Sequence, residues 1–416
     1  MTSHCEELQV HSATLHGVVP FPTYHSTIAA PVTCTRGFCS VLSAAGELVV
    51  LQPSRAPSQQ DVPSQQDVQD HSFRVVAVLP PPLAIRIASF CQCWLPDGSL
   101  VAVAHDRRVV FYSTDAFQVQ RQVQVRYSVT AMDIVVRKKE ERRQTVDEEE
   151  RVDGVELLLL VATAFGAFVY VVALEKSGQE AQDSSRDETL ELLLAPVAAV
   201  HTGVAMCMVK FSSDGCTAAM GSVDGRLFLR ALGSHDDHTL ATCGTVVFSK
   251  VLPAPRVTSL CFSLCSTQLV AATRNGNVYV YTLSTETRRW RSLPRGADLD
   301  RHPKAGGQAG PHRAGTAAQT LVACWGASVF VACARASASR LDMHDLVTGY
   351  RLRSLQFAPS STAGSSCGLS QWTDQHVVTG ICSMRTRDGG PSWLLVHDAT
   401  SKVRVVTWPF LDVVAG

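Results

Sequence analysis

The chain has 416 residues, 46% of them apolar and 18% charged, a globular composition that excludes a largely disordered chain. Its 37 Lys and Arg balance 37 Asp and Glu, so no net field draws it to a phosphate backbone or an anionic lipid surface, and nucleic acid is not expected as a partner. The opening MTSHCEELQVHSATLHG has no basic region followed by an apolar core, so no secretory signal is read there and a cytoplasmic or nuclear, reducing compartment is expected. The fourteen cysteines then read as free thiols, many of them packed as small hydrophobes (Cys91, Cys207, Cys261, Cys324, Cys333, Cys382).

In chain order, the apolar runs fall into hairpins. FCSVLSAAGELVVLQ turns near Gly46, and CWLPDGSLVAVAHDRRVVFYST, Cys93 to Thr114, follows with its turn at position 107. LLLVATAFGAFVYVVAL turns at Gly166. KFSSDGCTAAMGSVDGRLFLRAL, Lys210 to Leu232, turns at Gly225, and CFSLCSTQLVAATRNGNVYVYTL, Cys261 to Leu283, at Gly276. VFVACARASASRLDMHDL turns near Ala338 and VVTGICSMRTRDGGPSWLLVHDA near Gly390. The fourth and fifth copies align without a gap at a displacement of 51 residues, Phe211 on Phe262, Gly225 on Gly276 and Leu232 on Leu283. Short β-branched and aromatic runs broken by Asp-Gly or Asn-Gly are the hairpin signal.

The seven turns are spaced by 61, 59, 59, 51, 62 and 52 residues. Each repeat has room for two more strands, such as IASFCQCW, AMCMVKFS and VTSLCFS before the hairpin and QVQVRYS, TVVFSKVL and RWRSL after it. Four strands repeated seven times predict an all-β fold, a seven-bladed β-propeller of four-stranded blades forming a single domain over 1–416. A count of six or eight blades is the alternative.

The periodicity also decides how to read Leu157 to Leu174, eighteen residues without a charge. That length suits a transmembrane helix. However, Gly166 lies 59 residues from the turn on either side, and AFVYVVAL matches RLFLRAL and NVYVYTL in place and character. Two buried strands are therefore expected, and no transmembrane segment.

Four inserts interrupt the repeats. Residues 53–70 duplicate PSQQDV and read as disordered. Residues 137–153 carry six basic and seven acidic side chains, 175–188 are acidic and Ser-rich, and 294–316 are Gly- and Pro-rich. All read as solvated loops, with a docking or regulatory role as the sharper alternative for the charged one.

At this point the chain resembles the WD40-repeat family. FSSDG, Phe211 to Gly215, and LPDG, Leu95 to Gly98, look like that family's turn between first and second strands. HDL at His344 to Leu346 and HDA at His397 to Ala399 stand where the family has its Trp-Asp pair, and Tyr112 and Tyr281 take the aromatic position. No copy has Trp-Asp there or a Gly-His opening pair, so other propeller subfamilies stay open.

No constellation for catalysis, cofactor or metal emerges. HDDH, His235 to His238, lies in a polar link, and CTRGFC and CQC lack zinc-knuckle spacing. No phosphate-cradling GxxxxGK[ST] and no GxSxG elbow is present. Asp97, Gly98, Gly166, Asp214, Gly215, Asp224, Gly225 and Gly276 read as structural turn residues, because Asp bonds its own backbone in tight turns and Gly supplies their dihedrals. What remains is surface. The links entering each innermost strand carry Arg86, Arg126, His201 and Arg256, on a face that WD40-like proteins use for partners.

The resemblance implies a non-enzymatic scaffold binding protein subunits of a complex. The alternative is a membrane-trafficking regulator, such as a propeller exchange factor for small GTPases or a coat-associated subunit. The ending KVRVVTWPFLDVVAG, which contains no apolar span, counts against self-anchoring. A propeller enzyme is the third reading and the weakest.

Overall fold

The computed structural model describes residues 9–13, 32–35, 37–42, 47–53, 73–79, 90–137, 156–173, 192–193, 196, 198–232, 245–253, 256–274, 277–284, 290–292, 320–326, 328–334, 340–356, 378–385, 392–398 and 403–407. Among them every regular element is a β-strand. The four inserts lie outside the described residues apart from Pro53 and Arg137, which end strands.

The chain begins with β1 (Gln9–Ala13), whose partner comes last. The first blade pairs β2 (Val32–Thr35), β3 (Phe38–Leu42), β4 (Leu48–Pro53) and β5 (Phe73–Leu79) in sequence order. The second pairs β6 (Phe90–Trp94), β7 (Leu100–His105), β8 (Arg108–Ser113) and β9 (Val119–Gln124). The third uses β10 (Ala131–Arg137), β11 (Glu156–Thr163) and β12 (Gly166–Ala173); then β13 (Leu192–Leu193) leaves the blade, and β14 (Ala198–Thr202) completes it. The fourth has β15 (Met206–Phe211), β16 (Thr217–Ser222), β17 (Arg226–Ala231) and β18 (Thr245–Val251).

The fifth blade contains β19 (Val257–Phe262), β20 (Gln268–Thr273), β21 (Val278–Leu283) and β22 (Trp290–Ser292). The sixth contains β23 (Thr320–Trp325), β24 (Val329–Ala334), β25 (Arg340–Asp345) and β26 (Arg351–Gln356). The seventh has β27 (Val378–Arg385), β28 (Ser392–Asp398) and β29 (Val403–Thr407), and β1 supplies its fourth strand, Gln9 opposite Thr407 and Ala13 opposite Val403.

Contacts divide the chain into two compact units. Residues 89–252 hold the second, third and fourth blades; residues 1–88 and 253–416 hold the first, fifth, sixth and seventh. Within the three-blade unit the innermost strands β6, β10 and β15 lie side by side. Within the four-blade unit β19, β23, β27 and β2 do the same.

Strands in the middle of a blade are buried on both faces, which is why their apolar runs do not alternate. Every residue of β20 is buried, as are Leu157 to Ala162 of β11 and Leu100 to Ala104 of β7. Each such Val or Leu contributes roughly 1.5–3 kcal/mol on leaving water. Small residues stand opposite larger ones across the ladders, Ala102 facing Phe111, Ala219 facing Leu229 and Ala271 facing Tyr279. The outer strand β18 is exposed at every residue but Phe248. The uncharged run is a hairpin, Leu159 facing Tyr170 and Thr163 facing Gly166, and among the described residues no helix is long and apolar enough to cross a membrane.

Two features depart from the repeat as it reads in sequence. The seventh hairpin joins β27 to β28, the first and second strands of its blade, whereas the other six join second to third. The HDA segment therefore begins at the end of a second strand, out of phase with HDL at the end of β25. The irregular final spacing of 52 residues comes from measuring to this different turn. Moreover, β13 adds in parallel to the outer edge of β9, Leu192 beside Val123 and Leu193 beside Gln124, making the second blade five-stranded.

Candidate binding surface of the three-blade unit

The Asp-Gly turns are built from their own side chains. Asp97 Oδ1 accepts from Ser99 N at 2.9 Å and Ser99 Oγ at 2.8 Å, and Gly98 N reaches Leu95 O at 2.9 Å. Asp214 Oδ1 accepts from Cys216 N at 2.9 Å, beside Gly215 at φ 69°. Asp224 accepts from Ser222 Oγ and pairs with Arg226 Nε at 2.9 Å, next to Gly225. Gly166 opens β12 at φ 147°, after a turn in which Thr163 Oγ1 accepts from Phe165 N and donates to Gly166 O. Gly276 lies outside the described residues, as do Gly46, Ala338 and Gly390.

The residues suggested for partner contact are placed differently from one another. Arg86 lies outside the described residues, as does HDDH. His201 lies within β14, its backbone opposite Ala167, and the link into β15 is 203–205. Arg256 immediately precedes β19 with φ 59°, and its carbonyl accepts from Arg274 N at 3.0 Å. Arg126 stands in the link between β9 and β10 and is exposed.

Around Arg126 the structure assembles a surface. The link is fastened by backbone hydrogen bonds at both ends, Val125 N to Arg107 O at 2.8 Å, Val129 N to Asp106 O at 2.7 Å and Thr130 N to Ala162 O at 2.9 Å. Thr130 Oγ1 also donates to Met206 O at 2.9 Å, and Ser128 Oγ to Asp106. The seam continues through Gly203 N to Phe165 O at 3.1 Å and Val223 N to Ala205 O at 2.9 Å. One end of all three blades is thus tied into a continuous rim.

On that rim the Arg126 guanidinium carbon lies 5.3 Å from the centre of the Tyr127 ring, a cation–π contact of about 0.5–1 kcal/mol at an exposed site. Tyr127 in turn meets Phe165 at 4.9 Å and Phe168 at 5.3 Å between ring centres. Phe168 is buried, whereas Phe165, at the hairpin tip, is 61% exposed. Below them, burial pushes the Tyr170 hydroxyl above its usual range, with the Arg126 backbone amide pulling the other way. Arg107 and Val223 are exposed along the same rim.

Tyr127, Phe165 and Phe168 did not stand out as site residues in the sequence. The one usable signal was an aromatic residue directly before the Gly166 turn, where polar residues prevail. The arrangement offers cations and an aromatic face; among the described residues no group of three or more His, Cys, Asp or Glu is placed to hold a metal ion.

No family model matches the chain, and no curated protein matches it by sequence. Among solved structures it is similar to the β-propeller domain of Cps50 (Swd1) from Myceliophteria thermophila, at 10% identity and a TM-score of 0.53, over 92% of this chain and 96% of that one. The seven sheets and this likeness define the fold as a seven-bladed β-propeller, the fold that the repeat spacing and the WD40 resemblance implied.

Proposed function

We propose that this protein is a non-enzymatic propeller scaffold for a multi-subunit complex, and that the rim of Arg107, Arg126, Phe165 and Val223 contacts a partner subunit. The observation that carries the reading is Phe165, held 61% exposed on a rigid aromatic base. An exposed aromatic ring resting on a tyrosine that also carries an arginine has the composition enriched at interaction hot spots. Arg126 sits on a link and Phe165 on a hairpin turn, both tied to sheet ends by backbone hydrogen bonds, so little ordering entropy opposes binding. Arg256 belongs to the other compact unit and is proposed as a second contact. None of the ten cysteines whose side chains are described is joined in a disulfide, which fits a cytoplasmic or nuclear setting.

The test compares tagged full-length protein with an R126E/F165A variant, each purified from the native cell and quantified for bound proteins. Defined subunits should accompany the first and fall at least about tenfold with the second, since a hot-spot residue contributes roughly 2 kcal/mol or more. Identical partners at identical yields would remove this surface from the reading.

A further inference from the structure

In the four-blade unit, the innermost strands β19 and β23 are stitched by side chains along their length. Thr258 Oγ1 donates to Thr320 O at 2.7 Å. Ser259 Oγ donates to Val322 O and accepts from Val322 N, both at 3.2 Å. Next along the seam, Cys324 Sγ donates to Cys261 Sγ at 3.2 Å. The two hydroxyl contacts hold the strands in register, and the third leaves two thiols little more than an ångström beyond a disulfide's S–S distance of about 2.05 Å.

We propose that Cys261 and Cys324 are a redox-modification site, closing to a reversible disulfide between neighbouring blades when a small peroxide reaches them. The direction of the hydrogen bond assigns the roles. The Cys324 thiol donates, and its hydrogen bond to Cys261, together with burial, pushes its pKa well up, so Cys324 holds its proton and Cys261, the accepting sulfur, is the one offered to the peroxide.

The Cys261 thiolate attacks one oxygen of hydrogen peroxide. An S–O bond forms and the O–O bond breaks; the departing hydroxide takes up the proton that Cys261 released, leaving Cys261 as a sulfenic acid. The Cys324 sulfur then attacks the Cys261 sulfur and expels hydroxide, which leaves as water with the Cys324 proton. Two thiols and one peroxide become one disulfide and two waters, the two electrons passing from sulfur to the peroxide oxygens. Two equivalents of a cellular thiol such as glutathione restore the dithiol and become its disulfide.

Both residues are only partly exposed, which favours a peroxide over a bulkier oxidant. The bond would close a chain loop from Cys261 to Cys324 that includes the Gly- and Pro-rich insert, and a cross-link over a long loop restricts the unfolded chain strongly. Cys265 provides an internal comparison. It is exposed, with Ser263 Oγ at 3.3 Å and Thr267 Oγ1 at 2.9 Å from its sulfur.

The experiment treats the reduced full-length protein with graded hydrogen peroxide, blocks remaining thiols with N-ethylmaleimide, and maps the digest by mass spectrometry before and after dithiothreitol. The expected result is a Cys261–Cys324 linked peptide that dithiothreitol removes, with a melting midpoint several degrees higher in the oxidised protein. In Cys324→Ser, dimedone should tag Cys261 at least several-fold more than in the unsubstituted protein. The proposal is overturned if both cysteines remain alkylated at peroxide doses that oxidise Cys265, or if Cys261 links to Cys265 instead. The linkage map needs no variant, so a misfolded Cys324→Ser would not obscure it.

Discussion

Lys210 of β15 crosses to the neighbouring blade and donates to Asp133 of β10, Nζ to Oδ1 at 3.0 Å, while the adjoining Phe211 N–H donates to Asp133 Oδ2 at 2.8 Å. One carboxylate thereby ties two innermost strands together. Asp133 is 7% exposed, whereas the Lys210 side chain is 40% exposed, so the two partners should not be equivalent. Asp133→Ala strands a buried backbone donor and should cost about 2–4 kcal/mol. Lys210→Ala removes a solvent-screened ion pair and should cost at most about 1 kcal/mol. Urea denaturation of the two variants measures the difference, and equal losses would contradict this account.

Closure of the seventh blade by β1 makes a distinct prediction. Without residues 1–13, β29 becomes an edge with an open row of backbone donors and acceptors. The truncated protein should melt lower and scatter more light on heating. If both readouts match the full chain, β1 contributes nothing to closure.

Phe165 and Tyr127 touch, yet should respond differently to truncation. Phe165→Ala removes a ring that is mostly in water and should change stability by no more than about 0.5 kcal/mol. Tyr127→Ala empties the space between Phe165 and Phe168 and loses two aromatic contacts of about 0.5–1.5 kcal/mol each. Thermal melts of the two proteins separate a binding residue from its support.

Gly203 and Gly215 both have positive φ, +84° and +69°. A Cβ on Gly203 meets nothing within 4 Å, whereas one on Gly215 lies 3.2 Å from Val135 Cγ2 in the neighbouring blade. Gly203→Ala should therefore carry only the backbone term of about 1 kcal/mol, and Gly215→Ala more. Denaturant midpoints should fall in that order.

Burial raises the Cys91 thiol from 9.0 to about 12, and raises Cys93 in the same direction. Above pH 9 the unfolded chain loses these protons while the folded protein keeps them, so the folded state binds more protons and stability falls as pH rises. The stabilisation is complete below pH 9 and is lost progressively toward pH 12. Cys91→Val should flatten that alkaline slope in denaturation curves taken across this window.

Local patterns carried the fold. Two middle strands of each blade are buried on both faces and joined by short turns, so a run such as Leu157 to Leu174 displays both burial and reversal within its own residues. The candidate rim was only partly legible. Arg126 stood in the expected link, but its significance depends on Tyr127 meeting Phe165, a contact across two loops with no shared motif. His201 showed the opposite problem: it was read as part of a link entering an innermost strand, whereas the pairing of β14 with β12 carries the strand through that residue.

By itself, then, the sequence determined the seven hairpins, the Asp-Gly turns at Asp97, Asp214 and Asp224 and the reading of the uncharged run as strands, because each rests on interactions among residues a few positions apart. The tertiary structure alone decided that Gln9 closes against Thr407, that the last repeat is one strand out of phase, that Phe165 rests on Tyr127 and that Cys261 meets Cys324. Those relationships join distant segments. They arise from which sheet faces pack together, and side-chain periodicity specifies that a face is buried without naming what covers it.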